Sequence, residues 1–231
     1  METIHIQSFV AAEPATVWRQ LLGRPDVVLD ALPLRAWPEQ REERAPARLA
    51  MRWPVASGGT TSTSLEIALA AVASGTRVDL RHDGWEEGPG GQDALAGHFA
   101  GWLQALAALG LLAETGKDPR ASSAVLAACE RYFASAELPA SVDAVYRSLV
   151  DRDVLPRWSA GTLDGAQLVE SLDGRMVRWS LPGGPTPHEL VVILRHTPRG
   201  THCALAEYGV VDRSASARWP QMLERLARFL R

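Results

Sequence analysis

At 231 residues and 25.0 kDa the chain fits one large domain or two small ones, each able to bury its own core. Hydrophobic residues at 46% and charged residues at 22% exclude a disordered composition, and a net charge of -3 with a pI near 6.1 excludes a basic surface for nucleic acid or anionic lipid. Cys129 and Cys203 are too few for a disulfide framework, the N-terminus carries no apolar leader, and no uninterrupted apolar run approaches the roughly 20 residues that cross a bilayer, so a cytoplasmic protein is expected.

Ile4 to Phe9 reads as a strand, and Pro14 opens a helix that carries Val17, Trp18, Leu21 and Leu22 on one side until Gly23 and Pro25 end it. The mixed charges Arg41 to Arg44 read as wet surface. Strands follow at Leu49 to Trp53, Ser64 to Ala70 and Arg77 to His82, the last two joined by a tight turn at Ser74 and Gly75. Gly88 to Gly91 reads as a flexible connection to a helix from about Asp93 to Leu112, with Trp102, Ala105, Leu106, Leu109 and Leu112 on one face. The polar stretch Glu114 to Ser123 reads as a junction. Beyond it a strand begins at Tyr132 and Phe133, and Ser141 caps a helix bearing Val145 and Tyr146. Strands are predicted at Gln167 to Ser171, Arg175 to Ser180, Glu189 to Arg195 and His202 to Tyr208. A last helix carries Trp219, Met222, Leu223, Leu226 and Phe229.

The second half repeats the first. Val17-Trp18-Arg19 pairs with Val145-Tyr146-Arg147, Trp37 with Trp158, Arg52-Trp53 with Arg178-Trp179, Trp85 with Tyr208, and Trp102 with Trp219. Five matches in one order predict two copies of one domain, 1–115 and 125–231. Strands and helices that segregate in this way predict an α+β fold: in each copy a curved antiparallel sheet closed by a long C-terminal helix.

The order of strand, Pro-x-x-Val-Trp helix, Arg-Trp strand, Gly-Thr-x-Val-x-Leu-x-His-x-Gly-Trp strand and Trp-x-x-x-Leu-x-x-Leu helix resembles the homologues of the activator of the heat-shock chaperone ATPase. That family lies within the START-like, helix-grip superfamily. The matches run from Pro14 to Leu22, Gly75 to Trp85 and Trp102 to Leu109, and again from Ala144 to Val150, Gly200 to Tyr208 and Trp219 to Leu226. The resemblance implies a cavity between sheet and helix that holds a hydrophobic small molecule. It also implies a chaperone as a protein partner, though nothing here matches the additional N-terminal domain on which co-chaperone activity depends.

Trp53, Ile67, His82, Trp85, Trp102, Trp179 and Tyr208 are the expected ligand-binding residues, on strands and helices that should face one another. The bland alternative is that the rings are simply core. Copy one is the better candidate, because Gly97, Gly101 and neighbouring alanines leave volume on its helix, and because His82 could meet a ligand's polar end where copy two has Leu205. Trp37 and Trp158 edge a cavity mouth or lie half-buried over the core. His188, His196 and His202 have no partners at metal-ligand spacing, and no nucleotide, nucleophile-elbow or Cys-x-x-Cys motif occurs, so neither metal nor cofactor is expected. Glu66, Asp79, Arg81 and Arg195 fall opposite the apolar strand faces, against catalysis in the cavity. The expectation is a non-catalytic binder of a hydrophobic molecule, with an aromatase/cyclase-like enzyme or a protein-interaction module as alternatives.

Overall fold

Two compact units, Met1–Asp118 and Pro119–Arg231, make up the chain. The computed structural model describes residues 3–32, 34, 36–54, 62–120, 130–182, 188–209 and 214–231; most of the predicted junction's second half, and Cys129, lie outside them.

The first unit runs β1 (Ile4–Val10), α1 (Pro14–Gly23), α2 (Pro25–Val28), β2 (Arg41–Arg44), β3 (Arg48–Pro54), β4 (Ser62–Val72), β5 (Gly75–Asp83) and α3 (Pro89–Thr115). Its sheet has the order β1-β5-β4-β3-β2, antiparallel throughout. Strict alternation sends Leu49, Met51 and Trp53, then Leu65, Ile67 and Leu69, then Val78 and Leu80, to a single buried face. The other face is ionic, with Arg48 on Glu66 (2.7 Å), Arg77 on Asp79 (2.7 Å) and Arg81 on Asp83 (2.6 Å). Trp102, Ala105, Leu106 and Leu109 of α3 close the core. β2 is the exposed edge strand at the charges read as wet surface. It is polar on both faces, so alternation could not reveal it, and its charges discourage pairing with another chain.

The connection at Gly88 to Gly91 is helix from Pro89 onward, with proline in the first turn. Gly91 is required there, because a Cβ would sit 1.9 Å from the Glu86 carbonyl oxygen. α3 is long and apolar enough by composition to cross a membrane, which the sequence reading did not anticipate, but 67% of that window is buried inside the protein.

The second unit runs β6 (Glu130–Leu138), α4 (Val142–Val150), α5 (Leu155–Ser159), β7 (Gln167–Leu172), β8 (Met176–Ser180), β9 (Glu189–Thr197), β10 (Gly200–Gly209) and α6 (Ala215–Phe229). The sheet order β6-β10-β9-β8-β7 is that of the first unit. Ser141 caps α4 as expected, accepting the Ala144 N–H at 3.3 Å. Trp219, Met222, Leu223 and Leu226 of α6 enter the core, whereas Phe229, expected with them, is 40% exposed on the last helical residue.

Both units build the same joint between first strand and last hairpin. Gly75 (φ +152°) and Gly200 (φ +139°) each bring the backbone so close to the preceding first strand that a Cβ would lie 2.2 Å from the carbonyl of Val10 or of Leu138. Beside them Thr76 donates to the Ala12 carbonyl at 2.6 Å and Thr201 to the Ala140 carbonyl at 2.7 Å. The fold is α+β: in each unit, one antiparallel five-stranded sheet gripping one C-terminal helix.

Candidate functional site

At the end of β5 farthest from that joint, five rings of the first unit meet. Trp53 lies 5.1 Å from Trp102 and 5.9 Å from His82, while Trp85 lies 4.5 Å from His82 and 4.8 Å from His98. Every polar atom of the group is engaged in a directed chain. Trp102 Nε1–H donates to His82 Nδ1 at 3.0 Å, so the imidazole proton resides on Nε2. Nε2–H then donates to Thr63 Oγ1 at 2.6 Å, and that hydroxyl donates to the Trp53 carbonyl at 3.1 Å. Trp53 Nε1–H donates to His98 Nε2 at 3.2 Å, which leaves His98 Nδ1–H for the Ala94 carbonyl at 2.9 Å. Trp85 Nε1–H donates to the His82 carbonyl at 3.0 Å.

Burial, reinforced by the neighbouring His98, pushes the His82 imidazole down to about 3. Burial likewise lowers His98, against the opposing bond to Ala94. Both rings are neutral at physiological pH with both nitrogens occupied. Neither can take a proton from a substrate without breaking a hydrogen bond in a site closed to water.

The same position in the second unit is ionic. Pairing with the first strand sets Ile4 opposite His82 and Tyr132 opposite Glu207, and the two joints fix the register, so the counterpart of His82 is Glu207 and not Leu205. The Glu207 carboxylate is fully buried and accepts from Trp219 Nε1, just as His82 accepts from Trp102. It also accepts from Arg218 Nη2 and from His188 Nε2, the latter at 2.7 Å. His188, immediately before β9, takes the place of Thr63 on β4, and the Arg218 guanidinium stands 4.7 Å over the Trp219 ring.

Trp53, Ile67, His82, Trp85 and Trp102 therefore belong to one buried region, and Trp179 lies in the second core. Tyr208 does not join Trp179. Strand alternation puts Glu207 and Leu205 inward and Tyr208 on the opposite face, where it meets Phe133 edge-on at 6.3 Å. Trp179 is also displaced within the repeat. The hairpins Arg44 to Arg48 and Leu172 to Met176 correspond, which sets Trp179 on Met51 and Leu181 on Trp53. Trp37 and Trp158 are buried anchors, donating their N–H to the Leu21 carbonyl (2.8 Å) and the Ser148 carbonyl (2.9 Å) on the first helix of each unit. The volume expected at Gly101 is taken up, since a Cβ there would meet the Ala31 carbonyl at 2.7 Å and Leu32 at 2.8 Å. Two of the three second-unit histidines do have carboxylate partners, His188 on Glu207 and His202 on Glu137, both across strands where sequence spacing is blind. Among the described residues no three potential ligands gather for a metal.

Thr63, His98, Glu207 and Arg218 escaped sequence reading. His98 lies four residues before Trp102, a helical spacing that could have flagged it. Among the described residues, two clefts open on the first unit. One of about 280 Å³ is walled by Trp85, the Glu86–Gly88 turn, Gly91, Gln92 and Leu95. A shallower one of about 640 Å³ lies between Ala11–Ala15, Pro46 and the Ala71–Gly75 turn, and is lined almost wholly by small residues and backbone.

No family model matches the sequence, and no curated protein matches it significantly. Solved structures that resemble it include DynU16, from the dynemicin biosynthetic locus, at 16% identity over 100% of both chains and a TM-score of 0.43. The di-domain ARO/CYC BexL from the BE-7585A biosynthetic pathway matches at 12% identity over 99% of this chain and 92% of that one, TM-score 0.39. The Aha1 dimer from Colwellia psychrerythraea matches at 17% identity over 44% of this chain and 96% of that one, TM-score 0.37. Likenesses this distant carry no argument about activity.

Proposed function

We propose that the chain is a tandem duplication of a START-like helix-grip domain, related to the homologues of the chaperone ATPase activator. In this reading its first unit binds a hydrophobic, ring-bearing small molecule and performs no chemistry on it. The observation that carries the reading is the cleft of about 280 Å³ against Trp85. It lies where the last strand hands over to the closing helix, at the mouth of the grip, and its one aromatic side chain, Trp85, is backed by His82, His98, Trp53 and Trp102. Its size is just under the roughly 300–1,000 Å³ of small-molecule pockets, enough for a compound of one or two fused rings. The ligand seat is thus the mouth of the grip, because Trp53, His82 and Trp102 pack against one another directly beneath it.

The non-catalytic character is supported by two features. The imidazoles are neutral and fully engaged, and Glu66, Asp79 and Arg81 are tied up on the opposite sheet face. An aromatase/cyclase-like reaction would need such groups to converge on the substrate. The rings packed against one another beneath the cleft favour one second reading, a protein-interaction module with a chaperone as partner. Titrating tryptophan fluorescence with fatty acids, sterols and flat aromatic compounds separates the two. The binding reading expects a saturable change with the aromatics that is lost in Gln92→Trp, which fills the cleft from an exposed position. No change with any class favours the interaction module.

A further inference from the structure

The two units place different chemistry at one position, and the difference has a mechanical consequence. In the first unit the helix is fastened to the strand end by neutral hydrogen bonds among fully buried rings. In the second, the fastening is a buried carboxylate held by Arg218 and His188, whose side chains retain 28% and 14% of their exposure.

The helix it fastens is weak at that end. The N-cap of α6, Ser214, makes no side-chain cap bond. Pro220 stands inside the helix and cannot donate to the Ser216 carbonyl one turn back; the Tyr132 hydroxyl donates to it at 3.4 Å instead. The first turn and a half of α6 thus leans on β6, which it packs against, and on Glu207 of β10. Glu207 is the common acceptor, bonded by two consecutive α6 residues, Arg218 and Trp219, and by His188, which immediately precedes β9.

We propose that Glu207, His188, Arg218 and Trp219 form an ionic latch, and that its release opens the N-terminal half of α6 as a lid on the core of the second unit while the sheet and the C-terminal half of the helix stay folded. Water can reach Arg218 and His188, so the latch can be undone from outside; the counterpart around His82 cannot. A buried carboxylate stripped of its cation is costly, so opening moves the Arg218 and Trp219 donors together and exposes Glu207 to water in the same step.

Hydrogen exchange on the full chain tests this with Arg218→Met, Glu207→Gln and the double variant. Arg218→Met keeps an apolar stem over Trp219, and Glu207→Gln keeps the carboxylate's shape. The latch predicts that each single variant speeds exchange at the amides of 219 and 221–223 by about tenfold or more, equivalent to about 1.4 kcal/mol of opening free energy. β9, β10 and α4 should stay near their wild-type rates. The double variant leaves no buried charge without its partner, so its effect should fall short of the two singles combined. Exchange that rises equally over β9, β10 and α4 in all three variants, or that is unchanged in α6, overturns the proposal.

Discussion

Lowering the pH should unfasten the first unit through His82. The imidazole titrates at about 3 in the folded protein, against an ordinary value of 6.5. A lowered folded value means that the unfolded chain binds the proton more tightly. Stability from this group is therefore complete above pH 6.5 and is lost as the pH falls toward 3. Between pH 7 and pH 4 the linkage amounts to about 3 kcal/mol. His98, lowered by the same burial, adds loss of the same sign. That is a large fraction of a small domain's stability. The assay is native-state hydrogen exchange at the β5 amides, corrected for intrinsic rates, at pH 7, 6, 5 and 4. It reports the first unit separately from the second. His82→Asn keeps a polar acceptor near the Trp102 N–H and cannot titrate, so it should be less stable at pH 7 but lose much less on acidification. Equal pH profiles for wild type and variant, or an NMR titration of His82 near 6.5, would refute the reasoning.

The helix tryptophans should differ in cost. Trp219→Phe removes a donor from a buried carboxylate, worth about 1.5–3 kcal/mol, whereas Trp102→Phe removes a neutral bond to His82, worth about 1 kcal/mol, so chemical denaturation should show the larger loss in the second unit. Gly75→Ala and Gly200→Ala should each destabilise by more than about 2 kcal/mol, given positive φ and a 2.2 Å approach to a carbonyl, while Gly23→Ala, with nothing within 4 Å, should be neutral or mildly stabilising in thermal melts.

Much of this architecture was legible because period-2 strands and period-3.6 helices leave separate traces. Arg48–Pro54, Ser62–Val72 and Gly75–Asp83 alternate cleanly enough to be read as strands, whereas in Ile4–Val10 the apolar Phe9 is out of step with Ile4 and Ile6 and turns outward. β9 and β10 read differently. Val191, Ile193, Ala204 and Ala206 are buried on the face opposite Leu190, Val192, Cys203 and Leu205, so composition could not say which side Tyr208 takes. The match of Trp53 to Trp179 failed for a related reason. Steps of two keep a side chain on the same face, so a ring can shift by one pair along the strand and still look aligned. The counterpart of His82 was hidden because imidazole and carboxylate share no sequence likeness; what they share is the N–H of a helix tryptophan from a distant part of the chain. The clustering of His98 with Trp53 and Trp85 is likewise a product of tertiary packing between α3 and the sheet.

The central claim is a ligand seat at the mouth of the first grip, over a core that stays packed. The direct measurement is a ¹H–¹⁵N NMR titration with 1-aminonaphthalene, following the Trp85 indole N–H and the amides of Gly91, Gln92 and Leu95. Saturable shifts confined to these signals, with the indole signals of Trp53 and Trp102 unmoved, are the predicted result. Shifts centred on Trp53 and Trp102, shifts in the second unit alone, or none at all would contradict it.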